Sequence, residues 1–124
     1  MRHLELFAGI GGFRRAMDLL TQDHIMDFHC IGYSEIDAKA VRTYCANYHP
    51  EINNELAMGD IVEFTSNKEN IENLPQFDLV TGGFPCQTFS MMGKQAGFNE
   101  DRGQMFFHII DILAAKMPRY VVLE

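Results

Sequence analysis

Cys86 lies in the run Gly82-Gly83-Phe84-Pro85-Cys86-Gln87, directly after Phe77-Asp78-Leu79-Val80-Thr81. The latter reads as a buried strand, and in an open α/β sheet the crevice beyond the carboxyl ends of the strands is where ligands collect. Pro85 fixes its own φ and so limits the motion of the loop that carries the thiol. A thiol positioned there is a candidate nucleophile. The other role open to a free cysteine is that of a small buried hydrophobe.

Three further strand ends carry ligand-type groups. His3-Leu4-Glu5-Leu6-Phe7 reads as a strand that runs into Ala8-Gly9-Ile10-Gly11-Gly12 and then into the helical pattern Phe13 to Leu20. Glycines in such a turn accept positive φ and let backbone N–H groups approach a ligand, although many strand-to-helix turns are glycine-rich for steric reasons alone. Arg14 stands where the dinucleotide fingerprint G-x-G-x-x-G requires its third glycine, so a nucleotide-like ligand without a pyrophosphate fits better. A second strand, Phe28 to Tyr33, ends in Ser34-Glu35, and Glu35 follows Gly9 by 26 positions. An acidic residue there can accept both ribose hydroxyls, or it can serve as an ordinary charge at the start of the helix expected over Ile36 to Tyr48. A third strand, Glu55 to Met58, leads into Gly59-Asp60-Ile61, where Asp60 can accept from an exocyclic amine or cap a turn.

In order and spacing, Phe7-Ala8-Gly9-Ile10-Gly11-Gly12-Phe13-Arg14, Glu35, Asp60 and Gly83-Phe84-Pro85-Cys86-Gln87-Thr88-Phe89-Ser90 resemble the opening motifs of the cytosine-5 DNA methyltransferases. Gly93-Lys94-Gln95, Gly97-Phe98 and Arg102-Gly103 resemble that family's mobile catalytic loop and the start of its next helix. Val121-Val122-Leu123-Glu124 resembles the strand that carries its catalytic glutamate. The resemblance covers essentially the whole chain, and its most specific part is the proline-cysteine-glutamine element in its glycine and phenylalanine context.

The resemblance implies a Rossmann-like, S-adenosylmethionine-dependent methyltransferase fold: a mostly parallel sheet with helices on both faces. It also implies chemistry at carbon 5 of cytosine. That carbon is a poor nucleophile until a thiolate adds to carbon 6, so covalent catalysis is required. Cys86 matches the nucleophile. Glu124 matches the carboxyl that hydrogen-bonds the ring nitrogen and exocyclic amine, although a terminal acidic residue is its plainer reading. On the donor side the resemblance assigns Glu35 to ribose, Asp60 to the adenine amine, Phe7 to an adenine edge, and Gly9, Ile10 and Gly11 to the methionine part. Ser34, Ile36, Ile61, Gly83, Pro85 and Met105 line the same pocket. Gln87, Ser90, Lys94, Gln95 and Arg102 are the expected nucleic-acid contacts, with a plain surface lysine as the other reading of Lys94, and closure of the loop from Ser90 to Phe98 would hold a flipped base. No metal is expected.

These groups must be positioned by strands and helices that alternate throughout 124 residues, enough for one core. Apolar positions Ile36, Ala40, Tyr44 and Tyr48 give the second helix one face toward a sheet, and Phe106, Ile109, Ile110 and Leu113 do the same for a helix over Asp101 to Met117. The polar stretch Ser66 to Leu74 is expected to hold at most a turn of helix. The strands read as short apolar runs buried on both faces. With 47% hydrophobic and 22% charged residues and no low-complexity tract, the chain reads as globular rather than disordered. The N-terminus enters a strand without the zones of a signal peptide, and three cysteines show no paired metal spacing, which leads to an expectation of a reduced, cytoplasmic protein.

Net charge is −7, which opposes autonomous DNA binding, because phosphate neutralisation supplies most non-specific affinity. Complete members of the resembled family continue past the glutamate into further strands and a target-recognition domain. Residues 1–124 are therefore expected to form the N-terminal part of the catalytic domain, with double-stranded DNA as partner of the complete enzyme. A complementary subunit, an RNA-directed relative and an inactive cofactor-binding fragment are the alternative readings.

Overall fold

The computed structural model describes residues 1–83 and 101–124. Its elements follow in the order β1 (Arg2–Leu6), α1 (Gly12–Gln22), β2 (His29–Ser34), α2 (Ala38–Tyr48), β3 (Leu56–Gly59), α3 (Ile61–Ser66), α4 (Lys68–Asn73), β4 (Leu79–Gly82), α5 (Asp101–Lys116) and β5 (Tyr120–Leu123). The strands form one sheet in the order β3-β2-β1-β4-β5, and all four pairings are parallel. Chain direction across the sheet reverses between β1 and β4, which opens a crevice at their carboxyl ends.

Alternation along β1 divides the interior. Leu4 and Leu6 point into an apolar core with Ile31, Met58, Val80 and Phe77, which is covered by Ile61 of α3 and by Ile109 and Ile112 of α5. His3 and Glu5, equally buried, fall on the opposite face, because successive side chains in a strand alternate. Helices α1 and α2 cover that face with Arg14, Tyr44, Cys45 and Tyr48. Helices therefore lie on both faces of a parallel sheet, as expected.

Some expectations need correction. Ser66 to Leu74 holds more than a turn: α3 and α4 follow one another, because Asp60 and Asn67 each cap a helix by accepting from the backbone N–H two residues on, at 2.8 and 3.0 Å. Helix α2 starts at Ala38 rather than Ile36, since Asp37 is extended and accepts from Lys39 N at 2.9 Å. Ile36 is thus outside the helix and 67% exposed rather than part of its buried face. On α5 the deeply buried pair is Ile109 and Ile112, while Ile110 is exposed. Finally, β5 is not buried on both faces. It pairs with β4, but Tyr120, Val121 and Val122 are exposed.

Candidate functional site

The ends of β1, β2 and β3 meet in one pocket, lined by Phe7, Ser34, Glu35, Ile36, Gly59, Asp60, Ile61 and Met105. Seven of these eight are residues singled out from the sequence. Gly59 was missed, and its φ of 66°, which turns the chain from β3 into Asp60, is its structural signature. Met105 comes from α5, more than 40 positions beyond Asp60 in sequence, so its place in the pocket depends on α5 packing across the apolar face of the sheet.

The loop from Phe7 to Gly12 is tied down on several sides. Phe7 N donates to Ser34 Oγ at 3.0 Å, Ala8 N to Ser34 O at 2.8 Å, and Gly9 N to Glu35 Oε2 at 2.7 Å. Phe7 itself has φ 52°, a left-handed backbone that a bulky side chain rarely takes and that costs on the order of 1 to 3 kcal/mol. Strain of this kind persists where surrounding bonds over-determine it, and functional sites are where it collects.

Glu35 is more than a charge at a helix start. Besides Gly9 N it accepts from Ile36 N at 2.9 Å and Asp37 N at 3.0 Å, both through Oε1. A carboxylate offers about four acceptor positions, so three backbone donors leave room for a ligand hydroxyl on the Oε2 side. Asp60 uses Oδ1 to cap α3 and is half-buried in the same pocket. Two groups that only accept, set among Phe7, Ile36, Ile61 and Met105, suit a ligand that donates from a diol and an amine and presents a flat apolar body. They would repel a phosphate.

A second crevice adjoins the loop and is lined by Phe7, Ala8, Gly12, Phe13, Ala16, Gly83 and Glu124. Glu124 reaches it because its backbone N–H donates to Gly82 O at 2.9 Å, extending the β4–β5 ladder by one bond. Gly83 and Glu124 are thus neighbours at the switch point. Pro85, Cys86, Gln87, Ser90, Lys94 and Gln95 lie outside the described residues, and Arg102 falls in the first turn of α5.

Beneath the loop the polar face of the sheet holds titratable groups that the sequence did not single out. Glu5 is 1% exposed, and neither carboxylate oxygen has a hydrogen-bond partner among the described residues. Burial raises its pKa to about 7, opposed by the backbone N–H groups of Arg14 and Phe13 in the first turn of α1. His3 pairs through Nε2 with Thr81 Oγ1 at 2.8 Å, and burial, then the nearby Arg14, lowers its pKa to about 4. Arg14 is paired with Glu55 at 2.6 Å and Asp18 at 3.1 Å. Burial, reinforced by Glu55, pushes the Cys30 thiol up to about 11, so it stays a thiol. Among the described residues, no group of three or more His, Cys, Asp or Glu could hold a metal, and no helix is long and apolar enough to cross a membrane.

The profile of the C-5 cytosine-specific DNA methylase family matches residues 1–124. Among curated relatives, the chain is 40% identical over its full length to the orphan methyltransferase M.Rho11sI of Bacillus phage rho11s, covering 22% of that protein. It is 40% identical over its full length to the type II methyltransferase M.HgiCI of Herpetosiphon aurantiacus, covering 27% of it. Identity is again 40% to the type II methyltransferase M.NlaX of Neisseria lactamica, over 98% of this chain and 34% of that one. The chain therefore spans between about a fifth and a third of the length of these relatives. Among solved structures, TrmN from Thermus thermophilus superposes over 99% of this chain and 32% of its own with a TM-score of 0.51 at 14% identity, a likeness of fold.

Proposed function

This chain belongs to the C-5 cytosine-specific DNA methylase family, and on that premise we propose that it forms the cofactor-binding and catalytic part of an enzyme that methylates carbon 5 of cytosine in DNA. One observation carries the reading: Glu35, Asp60 and four apolar side chains from successive strand ends and α5 line one pocket, beside a crevice that takes in Gly83 and Glu124. This acceptor set suits S-adenosylmethionine, whose adenosine offers a diol, an amine and a flat apolar ring and carries no phosphate. In this reading Glu35 accepts from the ribose, Asp60 accepts from the adenine amine, Phe7, Ile36, Ile61 and Met105 flank the ring, and the Gly9 to Gly12 loop faces the amino-acid end. When bound, this cofactor supplies an electrophilic methyl group.

The chain's own residues make the acceptor reactive. Cys86 follows Gly83 by three positions in the sequence, and in this reading it is the nucleophile. As thiolate it adds to carbon 6 of a flipped cytosine, and the ring's electron pair moves to carbon 5. Glu124 hydrogen-bonds the ring nitrogen and exocyclic amine and offsets charge that develops during attack. After methylation a base removes the carbon 5 proton, the carbon 5 to carbon 6 double bond re-forms, and the thiolate leaves carbon 6. Gln87, Ser90, Lys94, Gln95 and Arg102 contact the nucleic acid. The basic surface that duplex binding needs comes from elsewhere in the full-length protein, because this chain carries a charge of −7.

The test is a duplex carrying 5-fluorocytosine, which cannot lose its carbon 5 substituent as a proton. With full-length protein, an adduct stable to denaturation forms on the wild type and is absent in Cys86→Ala; an adduct that survives in the variant overturns the mechanism. A parallel arm with tRNA separates DNA from RNA as substrate.

A further inference from the structure

Tyr48 closes α2 and was read from the sequence only as a helix-face residue, yet it touches the cofactor loop. Its hydroxyl donates to Gly11 O at 2.9 Å, and the same carbonyl accepts from Arg15 N at 2.9 Å in the first turn of α1. Both acceptor positions of that carbonyl are thereby used. Gly11 has φ 93°, and a Cβ there would overlap the Tyr48 ring, so the loop and the ring are fitted to one another. The ring is itself held: Tyr44 packs against it at 4.9 Å between centroids, Tyr44 stacks on Tyr33 of β2 at 4.2 Å, and the Arg14 guanidinium lies over it at 5.0 Å. A column of three aromatic rings therefore runs from β2 to the Gly11 carbonyl.

The other tethers of the loop come from the end of β2. Ser34 and Glu35 hold Phe7, Ala8 and Gly9, while Ile10 at the tip is 63% exposed. From these contacts we infer that Tyr48 is a positioning residue for the amino-acid end of the cofactor site, an inference that rests on the cofactor reading above. The carbonyl of Gly11 and the N–H of Gly12 are opposite ends of one planar peptide. Fixing the first fixes the direction of the second, and the N–H groups at the start of a helix have no partner within it. The Gly12 N–H is the donor that the loop offers to a ligand carboxylate, since those of Phe13 and Arg14 face Glu5. Without the hydroxyl, the ring contacts stay and the peptide can rock, so the loss falls on the amino-acid end of the ligand and spares the nucleoside end.

Calorimetry on the full chain tests this with two probes: S-adenosylhomocysteine, and 5′-methylthioadenosine, which keeps the nucleoside and thioether but lacks the amino-acid group. Tyr48→Phe weakens S-adenosylhomocysteine about five- to tenfold, as expected for one hydrogen bond, and leaves 5′-methylthioadenosine within about twofold. Glu35→Ala weakens both probes. Equal losses on both probes in Tyr48→Phe, or no loss on either, overturn the inference while the Glu35→Ala result still upholds the cofactor reading. A wild type that binds neither probe overturns that reading and this inference with it.

Discussion

The two faces of the sheet are buried to the same depth and built on opposite principles. On one, Leu4, Leu6, Val80, Phe77, Ile109 and Ile112 pack into a single apolar cluster. On the other, His3, Glu5, Arg14, Glu55 and Thr81 are each under 10% exposed, and the atoms His3 Nδ1, both Glu5 oxygens and Glu55 Oε2 lack partners among the described residues. The apolar face gains from removing surface from water, in proportion to area. The polar face gains little from area and depends on which charges are paired. The loop that carries Phe7 to Gly12 grows out of β1, the strand whose side chains feed both faces. One face can therefore supply stability while the other fixes the electrostatic surroundings of the loop.

The largest effect should come from breaking the polar face at the ion pair of Arg14 with Glu55. Arg14→Met leaves Glu55 buried without its cation and should destabilise the protein by about 3 to 5 kcal/mol in denaturant unfolding. The double variant Arg14→Met, Glu55→Met removes both charges and should recover most of that loss. If the double variant is as unstable as the single one, Arg14 acts through packing and the contrast between the faces is weaker than drawn.

On the apolar face, Leu4→Ala should cost about 2 to 5 kcal/mol, with no dependence on pH between 5 and 8. A loss that varies across that range would mean that the faces are coupled through β1.

A smaller and more diagnostic effect concerns protonation. The pKa of Glu5 is raised from 4.5 to about 7, so the folded state keeps a proton that the unfolded state has lost; its contribution is full below 4.5 and is lost as pH rises to 7. The pKa of His3 is lowered from 6.5 to about 4, so its contribution is present above 6.5 and is lost as pH falls toward 4. Between 4.5 and 6.5 the two slopes oppose one another, and folding in effect moves a proton from His3 to Glu5. Glu5→Gln removes one slope only. The stability of the variant relative to wild type should therefore rise by about 2 kcal/mol as pH goes from 4.5 to 7, read from urea midpoints at several pH values. Parallel curves for the two proteins would show that Glu5 does not titrate in this window.

Much of the site was legible in the sequence because its markers are local. A glycine turn after a strand, an acidic residue closing the next strand and an aspartate capping a helix each declare themselves within a few residues, and Phe7, Ser34, Glu35, Ile36, Asp60 and Ile61 do line one pocket. What failed locally did so for a nameable reason. Ile36 matched a helical period but lies before the Asp37 cap, and the polar stretch Ser66 to Leu74 conceals α4 because Asn67 restarts the chain while Ile71 and Leu74 still reach the interior.

The sequence alone determined the alternation in β1, the caps, the strand-end carboxylates and the motif order that marks the family, since each depends on neighbours along the chain. Only the tertiary structure decided that Met105 joins the pocket, that Tyr48 closes on Gly11, that β5 is exposed, and that Glu5 and His3 are buried with shifted protonation. Those outcomes are set by what packs against each residue from other elements of the fold, and burial, which controls both packing and charge, has no signature at a single position of the chain.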